Sequence, residues 1–269
     1  MFDLKIRLVS MLGLLTVIVL SGLILDYYHI LRRPMRIGIG LALVGIATGA
    51  FLTLCAVLPE NHVFGRVFFE SQTNKKIVAL TFDDGPYSPY TEQVLDVLGE
   101  YHVPATFFVV GQNVEKYPEL VQRIVDEGHQ LGNHTYHHVD LLKIDRKTIE
   151  DEIDSTNRVI KNVTGTTPHV VRPPHGFRDP VVMEIMAERG LKVVEWSIMS
   201  RDWTNPGVEV IVDRTLAKVK NGSIILLHDG DGISSKASRI QSVEATRRII
   251  QTLSAQGYQF VTVDEILGI

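Results

Sequence analysis

The 269 residues carry a formal net charge of −4, with 27 Lys and Arg against 31 Asp and Glu. That mildly acidic balance lacks the basic footprint of a nucleic-acid binder. Cys55 is the only cysteine, so no intrachain disulfide can form, and its apolar setting would stabilise a catalytic thiolate poorly.

In chain order, two stretches without a charge come first, Leu8 to Leu25 and Ile37 to Leu58. Each meets the roughly 17–25 apolar residues that a helix needs to cross a bilayer. They predict two transmembrane helices, about 8–25 and 37–58, within residues 1–60. The loop between them, "DYYHILRRPMR", supplies Arg32, Arg33 and Arg36, with Tyr27 and Tyr28 as interfacial anchors. Three arginines in a short loop favour a cytoplasmic loop and hence an extracytoplasmic C-terminal domain in a multi-pass membrane protein; Lys5, Arg7, Arg66, Lys75 and Lys76 pull the other way. A cleaved signal peptide plus one anchor is the competing reading, but no A-x-A site follows Leu25. Residues 61–75 read as a juxtamembrane linker with a short apolar patch, "VFGRVFF".

From Lys76 to the end at 269 the chain alternates. Strand-like runs appear at "KIVALTF", "ATFFVVG", "HQLGNH", "HVVRP", "LKVVEWSI", "SIILLHD" and "YQFVTV", with amphipathic helical patterns between them. Such alternation means parallel strands joined by right-handed crossovers. Seven strands fit a closed barrel or an open doubly wound sheet. Unusual polar residues follow the first, third, fourth, fifth and sixth strands, and a barrel gathers its strand ends around one mouth. The expectation is therefore an α/β fold, a distorted (β/α) barrel of about seven parallel strands.

The polar residues carry the chemistry. "TFDDGP" sets Asp83 and Asp84 side by side at a strand end, where neighbouring anions repel. "GNHTYHH" places His134 and His138 four apart, so one helical turn would bring both imidazoles to one face. Two His and a carboxylate are a standard catalytic zinc set, and a divalent cation would let both carboxylates stay ionised. One Asp could then hold the metal while its neighbour takes a proton from water. "VVRPPHG" offers Arg172 as the partner of a carboxylate, "SRDW" offers Asp202 and Trp203, and "IILLHDG" ends a buried strand with His228, whose ordinary pKa suits a general acid. "DGDG" at 229–232 resembles a calcium loop but fails its spacing.

The order "TFDDGP", "HTYHH", "RPPHG", "DW", "LLH" resembles the polysaccharide deacetylase family with the NodB-homology domain, carbohydrate esterase family 4, over about residues 76 to 266. The resemblance implies a metal-dependent N-deacetylase of acetylated amino sugars. By motif, Asp84, His134 and His138 would bind the metal, most simply Zn²⁺, with Co²⁺, Ni²⁺ and Mn²⁺ as alternatives. Asp83 would be the base held by Arg172, and His228 the acid oriented by Asp202. Trp203 and Leu226 would wall the acetyl methyl, with Pro174 and His175 also at the substrate and a backbone N–H near His175 as oxyanion donor. Position 175 is His where many relatives carry Tyr, Met199 replaces a frequent Asp, and His137 matches a variable, non-ligand position. The implied partners are an N-acetylated glycan of the cell wall or surface and the membrane, with no nucleic acid and no protein partner evident. A glycan-binding module without turnover is the rival from another class. A transport role has no support, since neither apolar stretch carries a charged residue.

Overall fold

The computed structural model describes residues 20–22, 24, 33–234 and 236–269, which divide into a unit ending at Val57 and a second unit, Leu58–Ile269. In the first unit, helix α1 (Arg33–Val57) contains Ile37–Val57, long and apolar enough to cross a membrane by length and composition. It starts four residues before the predicted boundary, because Pro34 falls in the first turn, where its missing N–H leaves no bond unmade. Arg33 and Arg36 are thus helical rather than part of a loop. The other predicted span, 8–25, lies outside the described residues apart from 20–22 and 24, which are helical. One such membrane-length helix stands among the described residues, and the expected hairpin is not among them.

The second unit holds a parallel sheet. Its strands are β1 (Val67–Phe68), β2 (Ile77–Asp83), β3 (Thr106–Val109), β4 (Gln130–Asn133), β5 (Val170–Val171), β6 (Lys192–Val194), β7 (Ile198–Met199), β8 (Ile224–His228) and β9 (Gln259–Phe260). They run β1-β6-β5-β4-β3-β2-β8-β7, with β9 paired to β2, and every ladder is parallel.

Chain connectivity forces this sheet to curl. β6 and β7 stand six positions apart, about 29 Å in a flat sheet at roughly 4.8 Å per strand. Yet only Glu195, Trp196 and Ser197 join them, a step that about 3.5 Å per residue limits to roughly 14 Å. The sheet rolls until its ends approach, with Glu195 N–H donating to Phe68 O at 2.7 Å and Ser197 N–H to Ile224 O at 3.1 Å. The result is a curled, incompletely closed barrel.

Two expectations are corrected here. The run "LKVVEWSI" is two strands, because its halves pair with opposite ends of the sheet: Val193 with Val171, Ile198 with Ile225. The segment 61–75 is not a plain linker, since β1 lies within it and pairs with β6, bringing the total to nine strands.

Helices α2 (Tyr90–Tyr101), α3 (Gly111–Lys116), α4 (Pro118–Asp126), α5 (Arg146–Thr164), α6 (Pro180–Glu188), α7 (Val208–Leu216) and α8 (Ile240–Ala255) follow the strands. Alternate strand residues face outward: Leu80, Phe82, Phe107, Val109, Leu131, Ile225 and Leu227 join the main core with the apolar residues of α2, α7 and α8. Each such side chain contributes about 1.5–3 kcal/mol on burial. Inward-facing Ala79, Phe108, Val170, Val194 and Ile224 pack with Val263 and Ile266 of the last helix, α9 (Val263–Leu267). Val263 N–H donates to Thr106 Oγ1 at the start of β3, so α9 plugs the end of the barrel where the strands begin. The strands' C-terminal ends are left to form the mouth.

Candidate active site

Strand alternation puts Thr81 and Asp83 of β2 on the inner face, beside Phe108 of β3 and His228 of β8 in register. Asp83 is buried, and burial of a bare carboxylate is costly without a partner. Arg172 is that partner: its Nη1 donates to Asp83 Oδ1 at 2.6 Å and to Thr81 Oγ1 at 2.9 Å. Nε donates to Val194 O and Nη2 to Glu195 O, both at 3.0 Å, so the fully buried guanidinium is satisfied around its rim. Its face lies 4.0 Å over the Phe108 ring. That ring needs Gly132 on the next strand, where a Cβ would come within 2.4 Å of it. Asp83 Oδ2 is left facing His134, at 3.8 Å from Nε2.

Asp84 follows with φ 76°, a left-handed turn that aims it away from Asp83, and Gly85 after it must lack a side chain because a Cβ would lie 2.1 Å from Asp229 Oδ2. Asp84 Oδ1 lies 3.0 Å from His138 Nε2 and 3.4 Å from His134 Nε2. Neither approach has hydrogen-bond geometry, so Oδ1 is a buried oxygen without a hydrogen-bond partner. Burial alone would raise this carboxyl's pKa. The pull of His134 and His138 outweighs it and holds the group well below the usual carboxylate range.

The two histidines do not share a helical turn, as their spacing had implied. They sit in a loop after β4, in which Thr135 and His138 both have positive φ. Polar anchors shape this loop. Asn133 Oδ1 accepts from Thr135 N–H at 2.8 Å, and buried Glu152 of α5 accepts from the N–H groups of Tyr136 and His137. The same carboxylate binds His137 Nδ1 at 2.6 Å, turning that ring away from Asp84.

This donor set fits a divalent cation. One nitrogen each from His134 and His138 and one oxygen of Asp84 lie within 4.8 Å of one another. His134 Nδ1 sits 2.6 Å from Arg172 O, and a carbonyl can only accept, so Nδ1 carries the proton. Nε2 is thereby turned to the Asp84 carboxylate oxygen, the orientation of a metal-ligating imidazole whose other nitrogen is held by a backbone carbonyl.

On β8, the strand adjacent to β2, His228 Nδ1 lies 2.9 Å from Asp202 Oδ1, and Asp202 Oδ2 accepts from the His228 N–H and from Ser242 Oγ, each at 2.7 Å. Ser200 Oγ donates to Asp202 Oδ1 at 3.0 Å. Burial works against both charges. For His228 the Asp202 carboxylate wins, helped by Asp84 and Asp83, and its pKa rises to about 9. Asp202 is lowered by His228 and Ser242. The Trp203 ring stands 5.0 Å from that of His228, and Leu226, two residues before His228, is buried on the same face of β8.

Pro174 and His175 occupy a short 3₁₀ turn after β5, with Pro174 buried and His175 exposed at φ 63°. The His175 ring lies 5.2 Å from that of His138. Although the residue reaches solvent, its ring is crowded by the site, and its pKa falls to about 4 through desolvation and then the neighbouring charges of His138 and His134. Met199 pairs with Leu226, beside rather than within the polar cluster. The fold thus gathers the predicted residues around one mouth, and adds supports that sequence reasoning passed over: Thr81, Ser200, Ser242, Glu152 and Asp229, whose Oδ2 accepts from Thr91 at 2.6 Å. Most are ordinary polar residues far in sequence from their partners, and Ser200, two residues from Asp202, is a common serine; only Glu152, buried in an otherwise charged helix, had a pattern to notice.

Known proteins resemble the chain in sequence and in fold. The family profile described as "Polysaccharide deacetylase" matches residues 70–194. A peptidoglycan-N-acetylglucosamine deacetylase of Bacillus cereus is 41% identical over 210 residues, covering 77% of this chain and 96% of that protein. A chitooligosaccharide deacetylase of Sinorhizobium fredii is 43% identical over 195 residues, 70% of this chain and 90% of its own. The crystal structure of the Bc1960 peptidoglycan N-acetylglucosamine deacetylase, in complex with 4-naphthalen-1-yl-N-oxidanyl-benzamide, superposes with a TM-score of 0.72 at 35% identity, covering 75% of this chain and 92% of that one. The chain belongs to the polysaccharide deacetylase family and is an enzyme of that class.

Proposed function

We propose that the chain is a membrane-anchored, divalent-cation-dependent hydrolase that removes N-acetyl groups from amino sugars of a cell-wall or cell-surface glycan. One observation carries the reading: adjacent carboxylates at the end of β2 have opposite surroundings, Asp84 beside two imidazoles and Asp83 gripped by a buried guanidinium. The names of the relatives make peptidoglycan and chitooligosaccharides the polymers to test first.

Asp84, His134 and His138 would hold the cation, zinc by the make-up of the set, with cobalt, nickel or manganese also acceptable to it. A divalent ion held there supplies positive charge that acidifies water and draws electron density from an acetamide oxygen. Asp83 is the base: with Oδ1 tied to Arg172, its Oδ2 takes a proton from the attacking water. The backbone N–H of His175 would donate to the oxyanion as the carbonyl carbon becomes tetrahedral. His228, with Nδ1 held by Asp202, offers the Nε2 proton to the amine as the C–N bond breaks, giving acetate and a free amino sugar. Trp203 and Leu226 wall the acetyl methyl beside His228, and Pro174 stiffens the loop that presents His175.

The helix Ile37–Val57 supports anchoring. A second span over 8–25 and an extracytoplasmic catalytic domain, argued from Arg32, Arg33 and Arg36, belong to the same proposal. The test is acetate release by the full chain in detergent from peptidoglycan and from chitooligosaccharides. Acetate from either, lost in Asp83→Asn, supports the reading; no acetate from any N-acetylated glycan refutes it.

A further inference from the structure

The turn that carries His175 is held in an unfavourable shape. His175 has φ 63° and Gly176 φ 72°, two successive left-handed residues of which the first is not a glycine. Its own backbone contributes Gly176 N–H to Pro173 O at 2.9 Å and Phe177 N–H to Pro174 O at 3.2 Å. A side chain in the left-handed region costs free energy, and such a shape persists where the surroundings impose it.

Two buried side chains impose it here. Arg178 is almost wholly buried; its Nη1 donates to Gly176 O and its Nη2 to Asn61 O, each at 2.9 Å. Glu195, between β6 and β7, is fully buried, and neither of its carboxylate oxygens makes a hydrogen bond. Its counter-charge is Arg178, whose Nη1 lies 3.6 Å from Oε1. The other oxygen backs the turn directly: a Cβ on Gly176 would come within 2.5 Å of Glu195 Oε2. Burial lifts the Glu195 carboxyl to about 7, with Arg178 and then Arg172 opposing.

The same residue meets the base's partner through its backbone. Glu195 O accepts from Arg172 Nη2 at 3.0 Å, and Arg172 Nη1 donates to Asp83 at 2.6 Å. Glu195 N–H is fixed in turn on Phe68 O of β1, at 2.7 Å. The main chain of Glu195 thus serves the base, while its side chain serves the His175 turn. A change of side chain separates the two.

We propose that Glu195 is a positioning residue for the oxyanion donor: paired with Arg178, it holds the His175–Gly176 turn so that the His175 N–H stays aimed at the acetamide oxygen. The proposal rests on the deacetylase reading above, with that N–H as donor. Glu195 itself touches no substrate.

The test is Glu195→Gln, an amide of the same shape without the charge, in the zinc-loaded full chain in detergent at pH 8, where the parent carboxylate is ionised. The substrates are N-acetylchitotetraose and the same tetramer with trifluoroacetyl in place of acetyl. Fluorine already draws that carbonyl toward the anionic tetrahedral state, so its hydrolysis depends less on an oxyanion donor. On the acetyl substrate kcat should fall about tenfold or more with KM within about twofold, because the donor is used in the transition state. On the trifluoroacetyl substrate kcat should fall about threefold or less. In metal-free protein, hydrogen exchange at the Gly176 and Phe177 amides should quicken about fivefold or more. An unchanged kcat, a defect equal on both substrates, or unchanged exchange at those amides would overturn the proposal. Should Glu195→Gln not fold, Gly176→Ala, whose Cβ would push the turn off Oε2, is read in the same way. No acetate from the intact chain strikes at the deacetylase reading and takes the proposal with it.

Discussion

Replacing Asp202 with Asn tests the acid assignment through its pH dependence. Asp202 accepts from His228 Nδ1 and N–H, Ser200 and Ser242, so an amide of the same shape keeps most contacts and removes the charge. That charge is the chief reason His228 titrates near 9 against the opposition of burial. Without it, burial is opposed only by the weaker pull of Asp84 and Asp83, and the pKa falls toward the ordinary 6.5. A group with pKa about 9 is about 97% protonated at pH 7.5; one at about 6.5 is about 9% protonated. Because the acid must be protonated, activity is present below the folded pKa and is lost as pH rises through it. Asp202→Asn should therefore lose about tenfold in kcat/KM at pH 7.5 and recover most of it near pH 5.5, the alkaline limb moving acidward by about two pH units or more. Acetate release followed from pH 5 to 10 provides the profile. An alkaline limb that stays in place, or a loss equal at every pH, would contradict a proton delivered by His228.

Three further outcomes follow from the geometry. Asp83→Asn should keep the cation and the fold while acetate release drops by about three orders of magnitude, as when a general base is removed; unchanged turnover would refute the base role. Arg172→Leu strands the Asp83 charge and the Val194 and Glu195 carbonyls, and should cost about 3–5 kcal/mol, seen as a fall of about 10 °C or more in melting temperature; a shift within 2 °C would show that the Arg172–Asp83 pair contributes little. Asp229 is fully buried, and desolvation lifts its pKa to about 7 although Thr91 opposes. A carboxyl raised in this way is as stable as an amide below its unfolded pKa of 3.8 and destabilises increasingly as pH rises toward about 7. Asp229→Asn should therefore match the parent near pH 3.5 and exceed it by a few kcal/mol at pH 8 in metal-depleted protein; equal melting at pH 8 would show that the charge costs nothing there.

Much of this fold could be read from the chain because its strands are short apolar runs closed by turn formers. "KIVALTF", "ATFFVVG" and "SIILLHD" became β2, β3 and β8 within two residues at each end. The failures share a cause, non-local pairing. Nothing within "LKVVEWSI" says that Val193 pairs with Val171 while Ile198 pairs with Ile225, and Val67 looks like linker until β6 lies beside it. The spacing of His134 and His138 gave a helical turn, whereas positive φ at Thr135 and His138, braced by Asn133 and Glu152, brings the rings together in a loop. The site's polar residues were visible because they interrupt apolar strands at their ends. Thr81, Ser200 and Ser242 were not, because a hydroxyl shows its purpose only beside Arg172 or Asp202. Residues 8–25 contribute to neither side of this comparison, lying almost wholly outside the described part of the chain.

The metal content of the protein tests the account most directly. After dialysis against metal-free buffer and loading with zinc, elemental analysis should find about one zinc per intact chain and about one in Asp83→Asn. His134→Ala and Asp84→Ala should each retain far less. Full occupancy in either of those two variants, or no retained cation in the intact chain, would contradict a centre built from Asp84, His134 and His138.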